Sequence, residues 1–250
     1  MKKTILYIID SLGAIGGAEI MMVSPLEEIH LRYNIIIVTL QPGNVFENRG
    51  CVFDKYYCIN MNSRINVFNA AKKLKKIINE NNVSLVHSFL YWSVVVARLA
   101  CGKKTPHIFS LATMMTEHIY KHKWYSGYTK IIDKITYKKN QVLISPSNEV
   151  IKDFDNAVGI KGKHKVLYNF VSDDFFKNEI NYSYSSNTLK LVSVGNIKTV
   201  KNYQVLIDAF KLFNNVQVSL DIYGEGDLKK NLQDQITEYN LPVKLMGSHK

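Results

Sequence analysis

Cysteine, arginine and proline are scarce in this 250-residue chain, and no long uncharged apolar run occurs. The three cysteines, Cys51, Cys58 and Cys101, are odd in number, and no two stand in a C-x-x-C pair. Without that spacing a zinc or dithiol redox motif has no support, and thiols buried in a reducing cytosol are the expectation. Leu85 to Ala100 is the longest later apolar stretch, yet it carries His87 and Arg98. It falls short of the ~18 uncharged residues that a spanning helix needs. The opening Met-Lys-Lys is followed by an apolar run that stops at Asp10 and leads into glycines. That is too short for a signal peptide and reads as a buried strand. G-x-G-x-x-G and Walker loops are also missing, so dinucleotide oxidoreductases and P-loop kinases lose their main signature.

What remains is ordinary globular composition, 46% hydrophobic, 11% aromatic and 21% charged, which excludes a disordered or collagen-like chain. Its length suits one large domain or two moderate ones. Charge is unusual: Lys plus Arg total 32 against 21 Asp plus Glu, a net +11. Anionic membrane, nucleic acid and phosphorylated small molecules are the partners such a balance admits. Only Arg32, Arg49, Arg64 and Arg98 are arginines. Readers of nucleic acid lean on bidentate arginine forks, so nucleic acid is not an expected partner. Lysines such as Lys72, Lys73, Lys75 and Lys76 read as a solvated helix face.

Short Ile/Val/Leu runs alternate with segments of helical period. Strands are expected at residues 4–9, 34–40, 83–87, 107–111, 141–145, 165–168, 189–194, 216–223 and 243–246. Helices are expected at 18–30, 67–81, 92–101, 128–138, 148–157, 203–213 and 228–239. Most of these strands lack polar alternation, as parallel strands covered on both faces do. The fold class is therefore α/β with parallel sheets. Pro25 should end or kink the first helix. A polar stretch divides the chain into a domain over 1–170, a linker over 171–187 and a second unit over 188–250. That unit amounts to one mononucleotide-binding half of a doubly wound sheet.

Three glycine turns follow strands. Gly13-Ala14-Ile15-Gly16-Gly17-Ala18-Glu19 opens the first helix, where backbone N–H groups and the helix dipole favour a phosphate. Val194-Gly195-Asn196-Ile197-Lys198-Thr199-Val200-Lys201-Asn202 places lysines at a strand-to-helix turn, well placed to neutralise a diphosphate. Tyr223-Gly224-Glu225-Gly226-Asp227 is the third. Carboxyl ends of strands are where open α/β sheets bind ligands.

Together these stretches, with Ser145-Pro146-Ser147-Asn148-Glu149, Lys165-Val166-Leu167-Tyr168-Asn169-Phe170-Val171 and Leu206-Ile207-Asp208-Ala209-Phe210, carry a resemblance. The chain resembles a retaining GT-B glycosyltransferase, of the family 4-like group that builds bacterial lipopolysaccharide and capsule. Gly16-Gly17-Ala18-Glu19 matches the group's G-G-A-E loop. The resemblance implies two Rossmann-type domains, the second incomplete. It implies that Gly16, Gly17, Asn196, Lys198, Lys201 and Gly224 approach the diphosphate of a nucleotide-sugar donor. Lys201 fits the family's lysine, Asn196 stands at its arginine position, and Lys198 two residues on offers a substitute charge. The histidine many members place near the transferred sugar has only an approximate counterpart in His118. His118 and His122 have i,i+4 spacing without a third ligand, so no metal and no bound cofactor are expected. The family's E-x7-E element lies beyond its third carboxy-terminal strand, whereas this sequence ends at Ser248-His249-Lys250. A non-catalytic acceptor-binding remnant is the alternative reading.

The activity so implied is sugar transfer, with retention, from a nucleotide diphosphate-sugar to a lipid-linked glycan acceptor. The expected location is the cytoplasm, at the inner face of the cell membrane. Lys121, Lys123, Lys130, Lys134, Lys138 and Lys139, with Tyr120, Trp124, Tyr125 and Tyr128, form the expected membrane-facing surface. An ordinary amphipathic helix with its aromatic stripe in the core is the competing reading of that stretch.

Overall fold

The computed structural model describes residues 2–47, 51–102, 104–117, 119–121, 123–138, 140–159, 162–171, 176, 189–213 and 217–248. The chain divides into two compact units, Met1–Phe175 and Phe176–Lys250. In the first, the elements are β1 (Thr4–Ile9), α1 (Gly17–Val23), α2 (Leu26–His30), β2 (Asn34–Thr39), β3 (Lys55–Cys58) and α3 (Val67–Glu80). They continue with β4 (Val83–Phe89), α4 (Tyr91–Ala100), β5 (His107–Ser110), α5 (Lys123–Thr136), β6 (Val142–Ser145), α6 (Asn148–Val158) and β7 (Lys163–Val166). The sheet is parallel throughout, in the order β3-β2-β1-β4-β5-β6-β7. This is the doubly wound order, and its reversal lies between β1 and β4.

Burial explains the central strands. Five consecutive residues of β1 and five of β2 are buried, as unalternating Ile/Val runs require when both sheet faces are covered. One apolar cluster joins Leu6, Ile8, Val38, Leu74, Val95, Phe109 and Phe154, drawing on α3, α4 and α6. A second joins Tyr7, Ile9, Ile37, Met22 and Leu26, drawing on α1 and α2. The break at Pro25 is as expected: α1 stops at Val23 and Pro25 is the N-cap of α2.

Three sequence expectations are corrected. The strand β3 was not foreseen, because four half-buried residues at a sheet edge carry no apolar run. The strand expected at 165–168 lies at Lys163–Val166, where main-chain pairing with β6 sets the register although Lys163 and His164 are polar. Leu167 and Tyr168 are exposed beyond it. The helix expected from residue 128 begins at Lys123. Tyr120 is buried and Tyr128 exposed, while Thr129, Asp133 and Thr136 face inward. The side chains of Trp124 and Tyr125 lie outside the described residues, as does Lys139.

The inward polar face of α5 closes a buried network. Arg98, on the otherwise apolar α4, donates from Nη1 to Asp133 Oδ1, with both side chains essentially inaccessible. Tyr120 donates its hydroxyl to Asp133 Oδ2 at 2.6 Å, and Tyr91 donates to the Thr129 carbonyl at 3.1 Å. The Arg98 guanidinium lies 4.5 Å from the Phe109 ring centroid and 5.1 Å from that of Tyr137. These ring faces stand against a cation whose Nε and Nη2 find no hydrogen-bond partner among the described residues. Burial and the Asp133 charge push the Tyr120 hydroxyl well above its usual range, so it stays a donor.

The second unit holds β8 (Leu189–Val194), α7 (Tyr203–Leu212), β9 (Val218–Tyr223), α8 (Lys229–Glu238) and β10 (Val243–Gly247). Its parallel sheet runs β10-β9-β8 around a core of Ile207, Phe210, Leu220, Ile222, Leu232 and Ile236. In contrast with the central strands of the first unit, β8 is an edge strand, with Leu189, Val192 and Val194 exposed.

Candidate functional site

In the first unit the crevice opens where β1 and β4 diverge. Asp10 ends β1, and its Oδ1 accepts from both Ser93 N at 2.7 Å and Ser93 Oγ at 2.6 Å. The carboxylate thereby caps α4, whose own N-cap, Leu90, offers no side-chain acceptor. Leu90 sits at φ 66°, ψ 159°, a region that is essentially glycine's, because β4 turns into α4 without a loop. Burial raises the Asp10 pKa while the Ser93 bonds lower it, with burial the larger influence. Through Oδ1, Asp10 positions the start of α4 at the edge of the cleft. Beside it a cleft of about 650 Å³ is lined by Leu40, Gln41, Met61, Ser63, Arg64 and Trp92, among others. Arg64 stacks 5.6 Å above the Trp92 ring. Amide, hydroxyl and aromatic groups around an open cleft suit a hydroxyl-rich ligand.

Gly16 is the extended N-cap of α1, and Gly17 is its first residue. A Cβ on Gly16 would come within 2.4 Å of Glu19 Oε2, a carboxylate folded back over the start of its own helix. A Cβ on Gly17 would meet nothing within 4 Å. The fold alone therefore does not demand glycine at 17, whereas the close approach of a ligand would.

The histidines of β4 and β5 are structural. His87 Nε2 bonds Ser110 Oγ at 2.8 Å, and His107 Nε2 bonds Ser88 Oγ at 2.8 Å, so β4 and β5 exchange His–Ser pairs. Burial lowers the His87 pKa to about 4 and pushes His107 well below its usual value, leaving both neutral. His118, the expected catalytic residue, lies outside the described residues, as does His122. Asp153 of α6 accepts from Met115 N at 2.6 Å and Thr116 N at 3.1 Å.

In the second unit the carboxyl ends of β8 and β9 carry two loops packed backbone to backbone. Gly195 N donates to the Tyr223 carbonyl and Ile197 N to the Glu225 carbonyl, each at 2.9 Å. A Cβ on Gly224, whose φ is +156°, would fall 2.0 Å from the Gly195 oxygen, and one on Gly226 would fall 2.2 Å from the Ile197 oxygen. Gly224 is thus required by the neighbouring loop. Gly224→Ala is expected to cost the second unit about 1–3 kcal/mol, as overpacking against rigid backbone does. Hydrogen exchange at the amides of Gly195 and Ile197 would show it as lost protection, and unchanged protection would refute the contact's role.

Asn196, Lys198 and Lys201 are all exposed on this loop frame. A single 3-10 turn, Thr199–Lys201, separates the two lysines, and Asn202 follows at φ 50° in the left-handed region that asparagine tolerates. The turn brings Lys201 Cε to 3.9 Å from where a Gly195 Cβ would stand. Neither lysine has a salt-bridge partner among the described residues. Two unneutralised ammonium groups at the carboxyl end of a parallel strand form a ready anion site.

The sequence model of Glycosyltransferase Family 4 matches residues 15–175. The chain belongs to Glycosyltransferase Family 4. Residues 175–247 match a second model, glycosyl transferases group 1. No curated protein matches the chain by sequence. Solved structures match the fold. HepE of Anabaena in complex with UDP has a TM-score of 0.77 at 20% identity, over 100% of this chain and 70% of that one. The UDP-glucose complex of HepE gives 0.72 at 19% identity, over 99% and 69%. The lipopolysaccharide outer core galactosyltransferase WaaB, in its apo form, gives 0.71 at 17% identity, over 99% and 68%. The architecture of this family 4 chain is therefore that of GT-B glycosyltransferases, a seven-stranded parallel sheet with a smaller parallel sheet. Asp10, Leu90, Asp153 and the Arg64–Trp92 stack were not singled out in the sequence. Asp10 was visible only as the polar stop to an apolar run, and its partner Ser93 stands 83 residues on.

Proposed function

We propose that this glycosyltransferase takes a sugar from a nucleotide diphosphate-sugar and transfers it, with retention, to a lipid-linked glycan acceptor in surface polysaccharide synthesis, at the cytoplasmic face of the membrane. The pair of unneutralised lysines after β8 carries the reading. As the glycosidic bond to the donor breaks, negative charge grows on the departing diphosphate. Lys198 and Lys201, with Asn196, are assigned to bind that diphosphate. Ammonium groups fixed before the reaction stabilise the leaving group without reorganising. Lysines in this role replace a bound divalent ion, so activity in a chelator is part of the proposal. His118 is assigned to the sugar side of the donor, and the cleft beside Asp10 and Trp92 to the acceptor. UDP-glucose, which HepE binds, is the first donor to test, and UDP, also bound by HepE, the first leaving group.

Lys201→Ala should weaken UDP binding by about 1.5–3 kcal/mol, or roughly ten- to a hundredfold in Kd, as expected for a charged hydrogen bond lost. Titration calorimetry on the wild-type and variant chains reads this directly. An unchanged Kd would remove Lys201 from the site.

A further inference from the structure

We propose that Asp10 is a specificity-determining residue of the cleft in the first unit, where its Oδ2 accepts a hydrogen bond from a hydroxyl of an uncharged sugar. The inference rests on the reading that this cleft takes the acceptor. It adds which side chain meets the acceptor and what charge the acceptor's sugar carries.

Counting donors places the contact. A carboxylate offers about four lone-pair positions, two on each oxygen. Asp10 Oδ1 takes Ser93 N at 2.7 Å and Ser93 Oγ at 2.6 Å, so that oxygen is full. The Trp92 amide adds a third bond to the carboxylate. A position on Oδ2 is left over, and Asp10 lines the cleft of about 650 Å³. All three donors belong to the first turn of α4, so the carboxylate is held in place before any ligand arrives.

The rest of the lining complements it. A carboxylate only accepts hydrogen bonds and a guanidinium only donates them, whereas amides and hydroxyls do both. Gln41, Asn62 and Ser63 supply the mixed groups, and Arg64 supplies donors beside the Trp92 ring. Neighbouring sugar hydroxyls, each of which gives one hydrogen bond and receives others, match such a set. Charge separates a neutral sugar from an acidic one. The Glu19 charge acts on Asp10 and raises its carboxyl further, so a sugar carboxylate here would meet two like charges. The amides of α4 that would draw an anion are already taken by Asp10.

The experiment is an NMR titration of the isotope-labelled full chain with methyl glycosides, following the indole N–H signal of Trp92. The probes are the neutral glucoside, galactoside, mannoside and N-acetylglucosaminide, with the glucuronide and galacturonide as acidic counterparts. We expect neutral glycosides to move the signal and their acidic counterparts to bind about tenfold more weakly. Asp10→Asn keeps an amide oxygen for Ser93 but turns N–H donors on the ligand, so neutral binding should fall about tenfold. Protection of the Ser93 amide from hydrogen exchange checks that the variant keeps its cap, and its Kd for UDP should match that of the wild type. The comparison of neutral with acidic sugars uses the wild-type chain alone and decides the matter even where the variant does not fold. A signal that no glycoside moves would overturn this inference together with the acceptor reading. Acidic sugars bound as tightly as neutral ones, or wild-type affinity in a capped Asp10→Asn variant, would overturn the inference and leave that reading standing.

Discussion

Asp133→Ala is expected to destabilise the first unit by about 3–5 kcal/mol, because it strands a guanidinium in the core. Arg98 has no accessible surface for water to reach, and its other nitrogens already rely on ring faces. Both tryptophans, Trp92 and Trp124, lie in this unit, so their fluorescence during urea unfolding follows it alone. The double replacement Arg98→Met with Asp133→Leu removes both charges and should recover most of the loss. Tyr120→Phe, which deletes one hydrogen bond to the carboxylate, should cost only about 1 kcal/mol. A loss below about 1 kcal/mol in Asp133→Ala would mean that the pair is replaceable by water, against the burial described.

Stability should fall as the solution is acidified from neutrality toward pH 4. His87 is held neutral down to about pH 4 by burial, whereas an unfolded histidine takes up its proton near 6.5. Between those values the unfolded chain binds more protons, so the stability is complete above about 6.5 and is lost as pH falls through the window. The displacement from 6.5 to about 4 corresponds to about 3 kcal/mol for His87, and His107 moves in the same direction. Asp10, whose carboxyl is raised by burial, contributes the opposite slope at the acid end. Urea midpoints between about pH 7 and 4.5 measure the sum. His87→Gln keeps a side chain able to reach Ser110 and removes the titration, so its stability should vary less with pH. Equal slopes for variant and wild type would place the acid sensitivity elsewhere.

Most of the framework was legible because both-face burial writes itself as uninterrupted Ile and Val, as in β1 and β2. Pro25 and the glycine turns marked the element boundaries for equally local reasons. Elements whose existence depends on a neighbour were not legible. β3 and β7 form because β2 and β6 present main-chain partners, whatever their own side chains prefer. The helix α5 misled for a related reason: its period was clear, but which face went inward depended on Arg98 and Tyr91 waiting on another helix. At the candidate site, the lysine loop was readable since all its parts lie within residues 194–202. The Asp10–Ser93 cap and the Asp153 clamp were not, because each joins residues far apart in sequence.

The two glycine-linked loops of the second unit hold one another through main-chain atoms, from Gly195 to Tyr223 and from Ile197 to Glu225. Their frame is therefore indifferent to most of the side chains it displays. Asn196, Thr199 and Val200 project from it without bearing its weight, and Val200 is largely exposed. Mutation can sample those three positions at little cost to folding, since exposed substitutions away from special backbone are usually mild. In this turn the displayed side chains can vary while the architecture stays put.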